Sequence, residues 1–108
     1  MEKSRNEKII GMIRALTTEY LNRESNRTSL ITVTHIELTP DMKNATIFFT
    51  VIPEDKENAA IGFMLRQRKH IRDHIKKNSQ FRVLPFIETK LDIGEKNRQL
   101  IETLSKKV

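Results

Sequence analysis

"LITVTHIELTPDMKNATIFFTVI" occupies residues 30–52. Two runs rich in β-branched and aromatic residues flank a polar hexapeptide, "TPDMKN", with Pro40 and Asp41 in turn positions. That layout predicts an antiparallel hairpin. The second run alternates cleanly, with Ala45, Ile47, Phe49 and Val51 on one face. The first run does not: Ile31 and Val33 share one parity, Ile36 and Leu38 the other. One extra residue near Thr34–His35, a β-bulge, would put all four on the core face.

Upstream, "SRNEKIIGMIRALTTEYLN" (4–22) has the spacing of an amphipathic helix. Ile9, Ile13, Leu16 and Tyr20 line one side, flanked by Ile10, Met12 and Leu21, and Ser4 with Glu7 forms a capping box. The polar "RESNRTS" (23–29) ends that helix. Downstream, "PEDKEN" breaks the strand, as a helix start does, and a helix is expected over about residues 57–78. Pro85 opens a third strand, "FIETKLD", in which Ile87, Thr89 and Leu91 alternate with Glu88 and Lys90. The economical architecture is α+β, a three-stranded sheet with helices packed on one face. Residues 1–92 read as one domain. Residues 93–108 read as a tail, a short helix or partly disordered, with Ile93, Leu100, Ile101 and Leu104 at helical spacing and Asp92 with Glu95 as its cap.

Charge is distributed unevenly over this framework. Twenty Lys and Arg against fourteen Asp and Glu leave +6. "RQRKHIRDHIKKNSQFR" (66–82) holds seven of the former and only Asp73 of the latter, so this segment carries the whole excess. A neutral body with one basic band is the charge pattern of a polyanion-binding surface. On a helical wheel, Met64, Ile71 and Ile75 fall within about 40° of one another as a core stripe. Arg66, Lys69 and Lys76 lie opposite them, Lys77 is nearby, and Arg72 flanks the group. Arg68 lies at the edge of the apolar stripe, so either it snorkels outward or the helix bends near residues 66–69. A solvated helix face is the bland alternative, but Asp73 alone offers few i,i+4 ion pairs to so many cations.

Other chemistries find little support. Cysteine is absent, which removes disulfides and thiolate metal sites and fits a reducing compartment. No apolar run is long enough to span a bilayer. There is no glycine-rich phosphate loop and no nucleophile elbow. Glu54 and Asp55 stand where a helix starts and need no other role than favouring its dipole. His70 and His74 are four apart, a spacing that suits a metal, yet Ile71 stands where a metalloprotease keeps its glutamate. No metal and no other cofactor is expected, and those histidines read as structural or RNA-facing. His35 reads as a partly exposed strand position. Phe48 and Phe81 complete no recognisable stacking motif.

The hairpin string resembles the ribosome-binding factor A family, whose form is close to V-T-V-T/S-x-V-x-V/L-T/S-x-D-L/M-x-x-A-x-V-Y/F. Ile31, Thr32, Val33, Ile36, Leu38, Thr39, Asp41, Met42, Ala45, Ile47 and Phe48 fit. Further along, "HIRDHIKKNSQFRVLPFIETKLD" (70–92) is similar to that family's F-I-R-x-x-L/I followed by R-x-x-P-x-L/I-x-F-x-x-D. Ile71, Arg72, Ile75, Arg82, Pro85, Ile87 and Asp92 match without a gap. The resemblance implies a type II KH-like fold, α-β-β-α-α-β, and a protein that is not an enzyme. It implies binding to the small (30S) ribosomal subunit and precursor 16S rRNA, help with late rRNA maturation, particularly in the cold, and rRNA contact through the positive helical face. "SNRTS" stands where the family has Asp-Pro-Arg-Leu-Gly, and Gln67, Arg68 and Lys69 stand where it keeps a small-residue kink between two helices.

The expectation is thus a monomeric, cytoplasmic, rRNA-binding assembly factor without a small-molecule substrate or a membrane. Arg66, Arg68, Lys69, Arg72, Lys76, Lys77 and Arg82 are the expected phosphate contacts. The competitors are a protein–protein adaptor or a general RNA-binding KH-like module whose basic face meets another polyanionic partner, such as an acidic protein, and a metal-dependent enzyme using His70 and His74.

Overall fold

The bulge is where the parity change requires it. In the computed structural model, strand β1 (Leu30–Leu38) pairs antiparallel with β2 (Asn44–Ile52), and the register shifts between Val33 and His35. Val33 faces Phe49, His35 faces Phe48 and Ile36 faces Ile47, so Thr34 is the extra residue. Val33 and Ile36 are both buried as a result, with Ile31 and Leu38 packed against the same core. The structure describes residues 2–24, 29–81 and 83–106, with side chains from residue 6 onward except those of residues 103, 105 and 106.

The turn between β1 and β2 is closed by its own side chains. The Thr39 hydroxyl donates to Asp41 Oδ1 at 2.7 Å and accepts from the Asn44 N–H at 3.0 Å. Asp41 Oδ1 also accepts the Lys43 N–H at 3.0 Å. These bonds hold the Asp41 carboxyl below the usual carboxylate range, the Thr39 hydroxyl contributing most. They also define the one left-handed backbone position among non-glycine residues described, Met42 at φ 61°.

Helix α1 (Glu2–Glu24) starts two residues before Ser4, so Ser4 is not its first residue; the Ser4 side chain lies outside those described. Ile9, Ile13, Tyr20 and Leu21 of α1 are buried. After β2 come a 3-10 turn (Glu54–Lys56) and helix α2 (Glu57–Lys77), the two successive helical segments before β3 (Phe86–Leu91). β3 lies parallel to β2 at the sheet edge, with Ile47 beside Thr89 and Phe49 beside Leu91. The stretch expected to be a tail forms helix α3 (Ile93–Lys106).

One core joins α1, α2 and the inner face of the sheet. Ile13, Ala45, Ile47, Met64 and Ile71 are fully shielded, and Phe49 and Ile75 are nearly so. Burying each of the larger of these side chains stabilises the fold by about 1.5–3 kcal/mol. This is the α+β, KH-like arrangement that the hairpin string implies, with helices on one face of a three-stranded sheet.

α2 runs as one helix through Gln67, Arg68 and Lys69, without a break between two helices. A contact with α1 falls on this stretch. The Tyr20 hydroxyl, from a ring that is 8% exposed, donates to Gln67 Oε1. Burial, with the Glu24 carboxylate adding to it, raises the Tyr20 phenol above its ordinary value and keeps it a donor. A side chain long enough to reach Tyr20 thus occupies the first of these three positions, and Arg68 and Lys69 extend the helix as good helix formers.

Candidate nucleic-acid interface

The anchoring of α2 decides which of its residues face water. Ala60, Met64, Ile71 and Ile75 turn into the core. The opposite side of the cylinder must then be solvated. Arg66, Lys69, Lys76 and Lys77 are exposed there, and Arg68 and Arg72 are half-buried at the margins. None of these six cations forms an ion pair with a described residue, although Asp73 stands among them. Arg82 lies outside the described residues, so its place relative to the others is not part of the geometry.

The two half-buried arginines are held by backbone carbonyls. Arg68 Nε donates to Leu65 O at 3.1 Å, which settles the sequence ambiguity: the helix stays continuous and the side chain folds back over its own preceding turn. Arg72 Nη2 donates to Leu84 O at 3.4 Å, across to the segment leading into β3. Each guanidinium keeps further N–H donors for an outside acceptor. Arg66 also leans back along the helix: a Cβ on Gly62 would lie 3.2 Å from Arg66 Nη1. Helical side chains lean toward the N-terminus in this way, and glycine keeps the space open.

The histidines separate into two roles. His74 is buried, with Nδ1 at 3.5 Å from Arg23 Nη2 and 3.4 Å from Asn78 Nδ2. Its Nε2 lies 3.2 Å from Glu19 Oε1 but is not aligned for a hydrogen bond. The ring tilts against Tyr20 at 5.7 Å, stitching α1 to α2. His70 is exposed one turn earlier. Among the described residues no three His, Asp or Glu side chains gather as a metal-binding group, and no helix is long and apolar enough to cross a membrane. His35 is exposed on the outer face of the sheet, edge-on to Phe48 at 4.7 Å.

Sequence reasoning overlooked one neighbour of the basic face. Phe86, the first residue of β3, is 68% exposed and lines a hollow with Leu65, Arg66, Arg68, Lys69 and Arg72. It follows a proline in the position that the R-x-x-P-x-L/I pattern leaves open, so the motif drew attention to its neighbours instead. The available signal was parity: Phe86 shares the outward side of β3 with Glu88 and Lys90, where a large apolar ring is out of place.

Fold and surface together define a small KH-like α+β protein in which the solvated face of α2 carries cations that no described carboxylate neutralises. Comparison with known proteins makes this specific. The family model described as "Ribosome-binding factor A" matches residues 5–105, and the chain belongs to that family. Ribosome-binding factor A of Geotalea daltonii is 33% identical over 107 residues, covering 96% of this chain and 87% of the relative. The Thermobifida fusca relative of the same name is 31% identical, over 96% of this chain and 71% of its own length. The crystal structure of ribosome-binding factor A from Thermus thermophilus superposes with a TM-score of 0.69 over 79% of this chain and 93% of that one. At 16% identity it speaks for the fold alone.

Proposed function

We propose that the chain binds the small ribosomal subunit by laying the solvated face of α2 along 16S rRNA, and that it assists late maturation of that RNA in the bacterial cytoplasm without catalysing a reaction. The carrying observation is the set of six cations on one helix, Arg66, Arg68, Lys69, Arg72, Lys76 and Lys77, none ion-paired with a described residue. Cations at helical spacing displace condensed counterions from a phosphate backbone, which gives affinity without base specificity. The relatives' name, Ribosome-binding factor A, supports a ribosomal partner.

Lys69→Glu with Lys76→Glu is the direct test. Both side chains are exposed, and neither is bonded to a described residue, so the melting temperature should stay close to that of the unaltered protein. Co-sedimentation with purified small subunits should be lost, and the salt dependence of residual binding should be shallower by about two in log–log slope. Undiminished co-sedimentation of the double variant would sink the proposal. Ribonuclease treatment separates the adaptor reading: a complex that survives digestion of its RNA has an acidic protein, not RNA, as its partner.

A further inference from the structure

Phe86 is an aromatic ring placed in water by a rigid support. Its backbone N–H donates to Lys43 O at 2.8 Å, its neighbours Pro85 and Ile87 are buried, and β3 pairs it with Asn44. Leu65, from the middle of α2, is likewise 52% exposed across the same hollow. The volume of this hollow, about 490 Å³, falls in the usual size range of ligand sites, roughly 300–1,000 Å³. Arg66, Arg68, Lys69 and Arg72 stand around it. Apolar floor and cationic rim together fit one kind of occupant: a planar ring attached to phosphates on either side.

We propose that this hollow takes a single unpaired nucleobase of RNA, stacked on Phe86 with Leu65 beneath it, while the arginines and Lys69 hold the flanking phosphates. Aromatic stacking tolerates any base, because every base has a π-face, and it requires the base to be out of a duplex. The site therefore gives a helix-backbone binder a preference for single-stranded RNA. Arg68 and Arg72 suit the rim because Leu65 O and Leu84 O already fix part of each guanidinium, leaving less freedom to lose when a phosphate docks. This inference rests on the RNA-binding reading of α2 and deepens it.

The test uses the full chain and two probes of equal length, a fluorescein-labelled 12-nucleotide oligouridylate and a 12-base-pair RNA duplex, compared by anisotropy. Phe86→Leu should weaken oligouridylate binding by roughly tenfold, within the range that removing one base-stacking ring produces, and leave duplex binding within about twofold. Phe86→Tyr, which keeps the ring, should restore the single-strand affinity. The salt dependence should be unchanged in both Phe86 variants, since stacking releases no counterions. Lys76→Glu with Lys77→Glu, outside the hollow, should weaken both probes. Equal loss on both probes in Phe86→Leu, or none on either, overturns the stacking site while the charge-reversal result still upholds RNA binding. If the unaltered protein binds neither probe, the RNA-binding reading falls and takes the stacking site with it.

Discussion

Helices α2 and α3 are both charged and both amphipathic, yet they use these properties in opposite ways. In α2 the core stripe of Met64, Ile71 and Ile75 is sealed, and Arg66, Lys69, Lys76 and Lys77 stand open. In α3 the apolar side chains stand open, with Ile93, Leu100, Ile101 and Leu104 between 54% and 63% exposed, and the charges are tied up. Lys96 bridges Glu54 and Glu57 at 2.9 and 3.0 Å, and Arg98 sits between Glu95 and Glu102. Those carboxylates raise the Arg98 pKa. α2 holds six Lys and Arg to the three of α3, and ion pairing widens that difference. What distinguishes a polyanion-binding face is cation charge without local partners, since a cation already paired releases little when a phosphate arrives.

This contrast is open to experiment, beginning with the core. Ile71→Ala, deep in α2, should cost about 2–5 kcal/mol in urea denaturation, whereas Ile101→Ala in α3 should cost under about 0.5 kcal/mol. Comparable losses would mean that α3's stripe is buried in solution. Next in size is ribosomal binding. Lys69→Glu with Lys76→Glu should reduce it by about tenfold or more, while Arg98→Ala should leave it unchanged; a loss with Arg98→Ala would show that paired cations count as well.

Asp92 governs a smaller effect. Its Oδ1 caps α3 by accepting the Glu95 N–H at 3.0 Å, and its Oδ2 accepts the Thr34 hydroxyl at 2.6 Å. Asp92→Ala should cost about 1 kcal/mol and reduce the helical circular dichroism of α3. The Thr34 hydroxyl first, and the Glu95 N–H second, hold the Asp92 carboxyl below its ordinary range. A depressed carboxyl contributes stability above the unfolded value, about 4, and that contribution disappears as pH falls through the folded value. The stability difference between the unaltered protein and Asp92→Asn should therefore be full at neutral pH and shrink below about pH 4. Smallest of all, Arg98→Ala should change stability by only a few tenths of a kcal/mol, because its ion pairs are solvated.

The parts of the fold that follow from short-range chemistry were readable in the chain. The parity change across Thr34–His35 located the bulge, Pro40 and Asp41 located the turn, and Met64, Ile71 and Ile75 identified the buried side of α2. Asp92 with Glu95 marked the start of α3. What escaped depended on pairs distant in sequence. Tyr20 reaches Gln67 across 47 residues, a tie between α1 and α2 that no local string announces. The hydroxyl of Thr34 and the carboxylate of Asp92 are likewise 58 residues apart. The basic face was legible because it is contiguous in sequence. Phe86 was not, because its place beside Leu65 and Arg72 comes only from the packing of β3 against α2.

Thr34 also makes β1 unusual in how it tolerates changes of length. Every other interior residue of that strand sets the side of its neighbours, so deleting Thr32 or Glu37 would flip part of the strand and turn core residues into the solvent. Deleting Thr34 would do the reverse. Val33, His35, Ile36, Glu37 and Leu38 would follow one another in strict alternation, opposite the partners they already have on β2. The chain is one residue longer here than pairing demands, and the surplus residue is the one that carries the hydroxyl bonded to Asp92.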